Sequence, residues 1–217
     1  MKTLLAIVAA AGMSLASGAY AATLQGTFYD TGGNQGGGSP LTNTMTLAEA
    51  FLAGNPTPDA TFQSTGINYG TPPNYTFTDL NAFLGADAAS LNPASAGTID
   101  MLGSVITIAG TISVGAGNNV FDVFSDDGFS IKVNGSEIGR QEGLTAPSNF
   151  SFNFDGGLGG LADFEITWFE GSRTQAALGV KLNGDTLTAA VPLPAAGFLL
   201  IGALGGLAAV KRRRKAA

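Results

Sequence analysis

Apolar and polar residues alternate through much of the chain after Thr98, with the two-residue period of half-buried β-strands. We predict strands at residues 24–30, 60–68, 105–108, 111–114, 120–124, 129–133, 136–140, 150–154, 164–168, 178–182 and 186–189. So many short strands with little helix predict an all-β fold, an antiparallel, jelly-roll-like β-sandwich. The apolar rows should form its core, with Trp168 as a core anchor.

Sequence patterns typical of turns and helices lie between these predicted strands. Asn134-Gly135 is the strongest hairpin signal, and Asn183-Gly184 is a second. Residues 46–49 (Thr-Leu-Ala-Glu) match a capping box and predict a short helix over 47–53 that ends at Gly54. Residues 79–84 favour a single further helical turn, and Ala109-Gly110 favours a break between two strands.

The first residues have the pattern of a secretory signal peptide. A positive Lys2 precedes an apolar stretch over residues 4–15, and Ala19 and Ala21 form an A-x-A cleavage site. We therefore assign residues 1–21 to a signal peptide and residues 22–190 to one domain. This assignment predicts an exported protein.

The net charge and the absence of Cys and His exclude several classes of partner, catalytic site and metal site. Residues 22–190 contain all 16 acidic residues and four basic ones, a net charge of −12, which disfavours nucleic acid and anionic lipid as partners. The chain has no Cys and no His, so Ser-His-Asp and Cys-His catalysis and thiolate or imidazole metal sites are excluded. Oxygen ligands for a hard cation such as Ca²⁺ remain.

The last 27 residues combine a proline motif, an apolar segment and a cationic end. Residues 191–210 are about long enough to cross a bilayer as a helix. The cations that follow are expected to stop transfer across the membrane. They are Lys211, Arg212, Arg213, Arg214 and Lys215. A plain C-terminal anchor is one explanation of this tail.

The order and spacing of these parts resemble the PEP-CTERM sorting signal in its VPLPA variant. The motif is Val191, Pro192, Leu193, Pro194 and Ala195, and the transmembrane segment is 195–210. The resemblance implies a Gram-negative bacterium and recognition by an exosortase-type processing enzyme. It also implies an inner-membrane intermediate, cleavage near the motif, and release to the cell surface or an exopolysaccharide matrix.

Two adjacent carboxylates, Asp126 and Asp127, lie between the strands predicted at 120–124 and 129–133. They repel each other unless they are solvated, hydrogen-bonded or bridged by a cation. Four segments resemble the protective-antigen-type domain family (PA-fourteen), a β-sandwich of toxins, glycosidases and adhesins. They are residues 24–29, 83–85, 121–135 with the Ser-Asp-Asp-Gly turn, and 164–171 closed by 177–182.

That resemblance implies a carbohydrate site in which Asp126 and Asp127 hold a bridging Ca²⁺. The partner loop begins at Glu170, a further metal ligand by its carboxylate, and Ser172 and Arg173 would contact the glycan. The sugar-binding adhesins have an Asn-led loop there, and Arg173 could instead neutralise the aspartates without an ion.

Three functions remain open from the sequence. The first is a non-enzymatic surface or matrix protein that binds polysaccharide or glycan, with Ca²⁺ as its only candidate cofactor. The second is a structural matrix protein without a ligand. The third is a glycosidase that would use two carboxylates about 5 Å apart. Its candidates are Asp122, Asp155, Asp163, Glu165 and Glu170.

Overall fold

The alternating segments form strands because an extended chain places its apolar side chains together on one face, which packs in the core. A computed structural model describes residues 23–32, 43–70, 79–171 and 175–191. The strands within these ranges are β1 (Leu24–Asp30), β2 (Ala60–Ser64), β3 (Asn68–Tyr69), β4 (Ser104–Val114), β5 (Asn118–Asp126), β6 (Phe129–Val133), β7 (Ser136–Gln141), β8 (Ser148–Asp155), β9 (Gly160–Glu170), β10 (Ala177–Leu182) and β11 (Asp185–Thr186). The predicted all-β class is confirmed.

The strands form two antiparallel sheets. The six-stranded sheet has the order β2-β1-β4-β9-β6-β7. The five-stranded sheet has the order β11-β10-β5-β8, and β3 also pairs with β10. This arrangement is the sandwich that the alternation predicted.

Aromatic side chains join the two sheets in the core. Phe121 of β5 stacks on Phe164 of β9, with ring centroids 6.2 Å apart, and Phe129 of β6 meets Phe150 of β8 edge-on at 5.4 Å. Trp168 is fully buried and stacks on Phe83 at 5.2 Å. Trp168 is therefore the core anchor that the sequence predicted.

The hairpin predictions are confirmed by backbone geometry. Asn134 and Gly135 both have positive φ angles, 51° and 76°, which the two-residue turn between β6 and β7 requires. Asn183 and Gly184 behave in the same way, with φ angles of 54° and 93°. The strand that follows is shorter than predicted. Leu187 N still donates to Val180 O in the hairpin register, but Val180 N donates to Ile67 O and Leu187 O accepts from Ile67 N, so Ile67 interrupts the ladder.

Ala109-Gly110 does not interrupt a strand, and the predicted break there is wrong. β4 runs continuously through both residues and is paired with β9 along its whole length. A Cβ at position 110 would lie 2.9 Å from the Leu24 side chain. The glycine therefore serves close packing and not chain reversal.

The predicted strand over 60–68 is two strands in different sheets. β2 ends at Ser64, where the Asp87 carboxylate accepts hydrogen bonds from the Thr65 N–H (3.1 Å) and hydroxyl (2.7 Å). The next strand, β3, pairs with β10 of the five-stranded sheet. A tertiary contact with Asp87 thus turns the chain from one sheet to the other.

Two short α-helices occur in the described ranges, α1 (Met45–Gly54) and α2 (Leu80–Leu84). The predicted capping box at Thr46 is wrong, because the N-cap is Thr44, whose hydroxyl accepts from Leu47 N at 3.2 Å. Glu49 is instead held by Arg140 of β7 through two hydrogen bonds of 3.0 Å. A bidentate ion pair outweighs the local backbone contact.

The predicted signal peptide and nearly the whole sorting tail lie outside the described residues, including Ala19, Ala21, the motif after Val191 and the cationic end. Among the residues that the structure describes, no helix is long and apolar enough to cross a membrane. The expectations about these segments therefore stay predictions.

Candidate functional site

The last two residues of β5 and the turn that follows, residues 125–128, are called the acid turn. Asp127 has a φ of 58°, a left-handed conformation that Asp tolerates better than most residues. A Cβ on Gly128 would lie 2.4 Å from the Phe169 ring and 2.7 Å from Gln141 O. The turn is thus packed tightly onto the six-stranded sheet, and it holds both carboxylates where the sequence predicted.

The Asp127 carboxylate joins three chain segments. Its Oδ1 atom accepts a hydrogen bond from Thr145 N at 3.1 Å, and its Oδ2 atom accepts one from Gly171 N at 2.8 Å. The side chain is only 1 % exposed.

Asp126 lies beside it and is also buried. Its backbone oxygen accepts a hydrogen bond from Trp168 Nε1 at 2.7 Å, and its Oδ1 atom accepts one from Asp127 N at 3.2 Å. Burial, and next the negative charge of Asp127, raise the pKa of Asp126 to about 7. A cation placed beside this carboxylate would therefore compete with a proton at neutral pH.

Glu170 ends β9 and is fully buried. The hydrogen bond from Gly171 N to Asp127 brings the end of β9 against the acid turn. Within residues 23–32, 43–70, 79–171 and 175–191, no three acidic side chains converge as a metal-binding group. Ser172 and Arg173 lie outside the described residues.

The structure distributes the other candidate carboxylates over both sheets. Asp122 and Asp155 are on the five-stranded sheet, four strand positions apart in register, which corresponds to about 13 Å. Asp163 and Glu165 are on β9, where Glu165 pairs with Lys132 at 3.0 Å and is 46 % exposed. Neither pair resembles a desolvated acid beside a nucleophile.

Sequence patterns did not identify the groups that hold the acid turn. Two of them, Thr145 N and Gly171 N, are backbone donors, which any residue type could supply. The third is the Trp168 indole, which was predicted only as a core residue. Such contacts depend on the packing of distant segments and have no local sequence pattern.

Solved structures of similar fold include PA14 domains. The PA14 sugar-binding domain from an RTX adhesin has a TM-score of 0.57 and 23 % identity over 79 % of this chain and 100 % of its own. The PA14 domain of the antifreeze protein MpAFP has a TM-score of 0.60 and 22 % identity, covering 81 % and 94 %.

A more distant match is the A domain of epithelial adhesin 6 from Candida glabrata, in complex with Galβ1-3GlcNAc. Its TM-score is 0.50 with 14 % identity, covering 77 % of this chain and 86 % of its own. No family model matches the sequence, and no curated protein matches it significantly. At these identities the likeness concerns the fold: the described domain is a PA14-like antiparallel β-sandwich.

Proposed function

We propose that this protein is a non-enzymatic carbohydrate-binding protein of the cell surface or extracellular matrix, and that the acid turn is its binding site. The observation that carries the proposal is the pair of adjacent, buried carboxylates at Asp126 and Asp127 on a PA14-like fold. Structures of similar fold include a sugar-binding adhesin domain and an adhesin bound to Galβ1-3GlcNAc. Sugar hydroxyls and carboxylate oxygens are complementary as donors and acceptors.

Calcium is the cofactor that suits this donor set. Asp126 and Asp127 would hold the ion. Glu170 at the end of β9 stays a candidate ligand from the sequence, although the described carboxylates do not form a group of three that could hold a metal. When bound, Ca²⁺ would supply a hard positive charge that carboxylate and sugar oxygens can share. The pKa of Asp126 is raised first by burial and next by the charge of Asp127, which supports this assignment, because a bound cation, like a proton, offsets the cost of the buried negative charge. Ser172 and Arg173 would contact the glycan.

One observation favours a ligand-free, structural role instead. Asp127 already accepts a backbone N–H at each carboxylate oxygen, so it stabilises the junction of three segments without any ion. In that case the protein would be a structural matrix component, and the acid turn would bind nothing.

Calorimetric titration of the purified protein with Ca²⁺ separates these two functions. We expect measurable binding that disappears in Asp126→Asn, a variant that keeps the size of the side chain and its hydrogen bond to the backbone. Asp155→Asn is the matched control, because Asp155 is exposed and lies on β8, away from the acid turn. No heat, together with an unchanged melting temperature in calcium and in chelator, would leave only the structural role.

The export route is a separate part of the proposal. We expect the tail to place the protein in the inner membrane until an exosortase-type enzyme cleaves near residues 191–195, after which the domain reaches the cell surface or matrix. The supporting observation is the order of motif, apolar segment and cations in residues 191–215. Intact-mass measurement of the surface protein should show an end within 191–195, whereas retention of residues 211–217 would make the tail an ordinary anchor.

A further inference from the structure

The turn between β8 and β9 exposes two leucines to solvent. Leu158 is 99 % exposed and Leu161 is 74 % exposed, the two highest values among the large apolar side chains that the structure describes. A single exposed leucine is common on protein surfaces, but two at one turn form an apolar projection that is unfavourable in water. Residues 155–161 are called the leucine tip.

Backbone hydrogen bonds hold the leucine tip in one shape. Gly156 N donates to Gly117 O at 2.8 Å, and Gly117 N donates to Gly157 O at 3.0 Å, so the tip is bonded to the turn between β4 and β5. Gly159 N donates to Gly156 O at 2.8 Å, which closes the backbone around Leu158. The exposure of Leu158 therefore belongs to a defined turn.

The leucine tip and the acid turn lie at opposite ends of the sandwich. β4 and β9 pair from Ser104–Glu170, beside the acid turn, to Val114–Gly160, in the leucine tip. The ten residue steps along β4 between these pairs, at about 3.4 Å each, make about 34 Å. A flat surface in contact with the leucine tip would leave the acid turn facing away from it.

The chain leaves the described domain at the same end as the leucine tip. Ala190 N donates to Thr111 O of β4 at 2.8 Å, and Thr111 pairs with Asp163, two residues after Leu161. Two strand spacings and two residue steps place Ala190 roughly 12 Å from Leu161. The five residues from Ala190 to the start of the predicted transmembrane segment at Ala195 span at most about 18 Å. A bilayer that holds this segment is therefore within reach of the leucine tip.

The charges near the leucine tip indicate which lipid surface suits it. Asp155 is the one charged residue of the tip, and its Oδ1 atom accepts a hydrogen bond from Gly157 N at 2.9 Å. Segments that bind anionic lipid carry Lys and Arg, and residues 155–161 have neither. The charge of −12 on residues 22–190 would also be repelled by anionic headgroups. The tip therefore suits headgroups without net charge.

We propose that the leucine tip contacts the surface of a lipid bilayer with zwitterionic headgroups while the tail holds the protein there. The proposal depends on the export route proposed above and is independent of carbohydrate binding. Leu158 and Leu161 enter the boundary between headgroups and acyl chains, which removes their apolar area from water. Because the inserted tail makes this contact intramolecular, two leucines are sufficient. The contact orients the domain and directs the acid turn away from the membrane.

A single fluorophore in the full chain tests this contact. The chain has no Cys, so Leu158→Cys provides one site for an environment-sensitive dye. Leu144→Cys is the matched control, because Leu144 is also exposed, at 50 %, but precedes Thr145, which donates to Asp127 of the acid turn. Each labelled chain would be reconstituted into phosphatidylcholine vesicles with and without nitroxide lipids that quench the dye near the headgroups. Flotation would measure how much of the chain is bound to the vesicles.

We expect the chain to float with the vesicles, and the dye at position 158 to be quenched at least about threefold more than the dye at 144. A dye at Leu161→Cys should lose about half of its quenching when Leu158→Ser is added, and none when Leu144→Ser is added.

Three other results would overturn the proposal. Equal quenching at positions 158 and 144 in floating protein would exclude the lipid contact and keep the export route. A disulfide-linked dimer of unlabelled Leu158→Cys, without quenching of the labelled chain, would assign the leucine tip to a second copy of this chain. Absence of flotation would overturn both the lipid contact and the membrane step of the export route.

Discussion

Replacing Trp168 by Phe tests how the core supports the acid turn. Trp168 is fully buried, stacks on Phe83 at 5.2 Å, and donates its indole N–H to the backbone oxygen of Asp126 at 2.7 Å. Phenylalanine keeps an aromatic ring in the same place but has no N–H donor. The substitution therefore removes one buried hydrogen bond and part of the packed volume, and adds no new polar group.

The expected cost has two parts. Leaving the buried Asp126 carbonyl without this donor costs about 1–3 kcal/mol. The smaller ring loses roughly two buried carbon atoms, at about 0.8 kcal/mol each. Together these lower the free energy of unfolding by about 3 kcal/mol, which corresponds to a fall in melting temperature of about 6–12 °C for a domain of this size.

Urea unfolding followed by far-UV circular dichroism measures this change, because Trp168 is the single tryptophan of the chain and its fluorescence is lost in the variant. Phe83→Leu is the control, since it removes the stacked ring and leaves the indole hydrogen bond intact. A loss below about 1 kcal/mol in Trp168→Phe would refute the view that this bond holds the acid turn.

Two further predictions concern pH and packing. In calcium-free buffer the raised pKa of Asp126 makes the folded state retain a proton that the unfolded state releases, so this contribution is complete below about pH 4 and is lost as pH rises to about 7. Asp126→Asn should abolish that decline in urea midpoints between pH 5 and pH 8, and an unchanged decline would assign it to other groups. Gly139→Ala should cost about 1–3 kcal/mol in thermal unfolding, because its Cβ would lie 2.5 Å from the Phe152 ring. Gly143→Ala has no atom within 4 Å and should change stability by less than about 0.5 kcal/mol, so equal losses in the two variants would contradict the packing argument.

The sequence predicted most of the sandwich because strand period and turn chemistry are local properties. Alternation placed Phe129, Ile131 and Val133 in the core, and Asn134-Gly135 set the hairpin that follows. Composition also limited the kind of metal site that the chain can form, because without Cys and His its side chains offer a cation oxygen ligands.

The position of the acid turn followed from the sequence, but its environment did not. In the sequence alone, Asp126 and Asp127 are ordinary turn residues, and only folding buries both of them. Their donors come from Thr145, Trp168 and Gly171, which are 18 to 44 residues away along the chain.

Elsewhere too, tertiary contacts overrode local patterns. Gly110 was predicted to break a strand, yet it lies inside β4 because the Leu24 side chain packs against it. Alternation and turn residues act between near neighbours and determine strands and hairpins, whereas burial and charge environment arise only when distant strands pair.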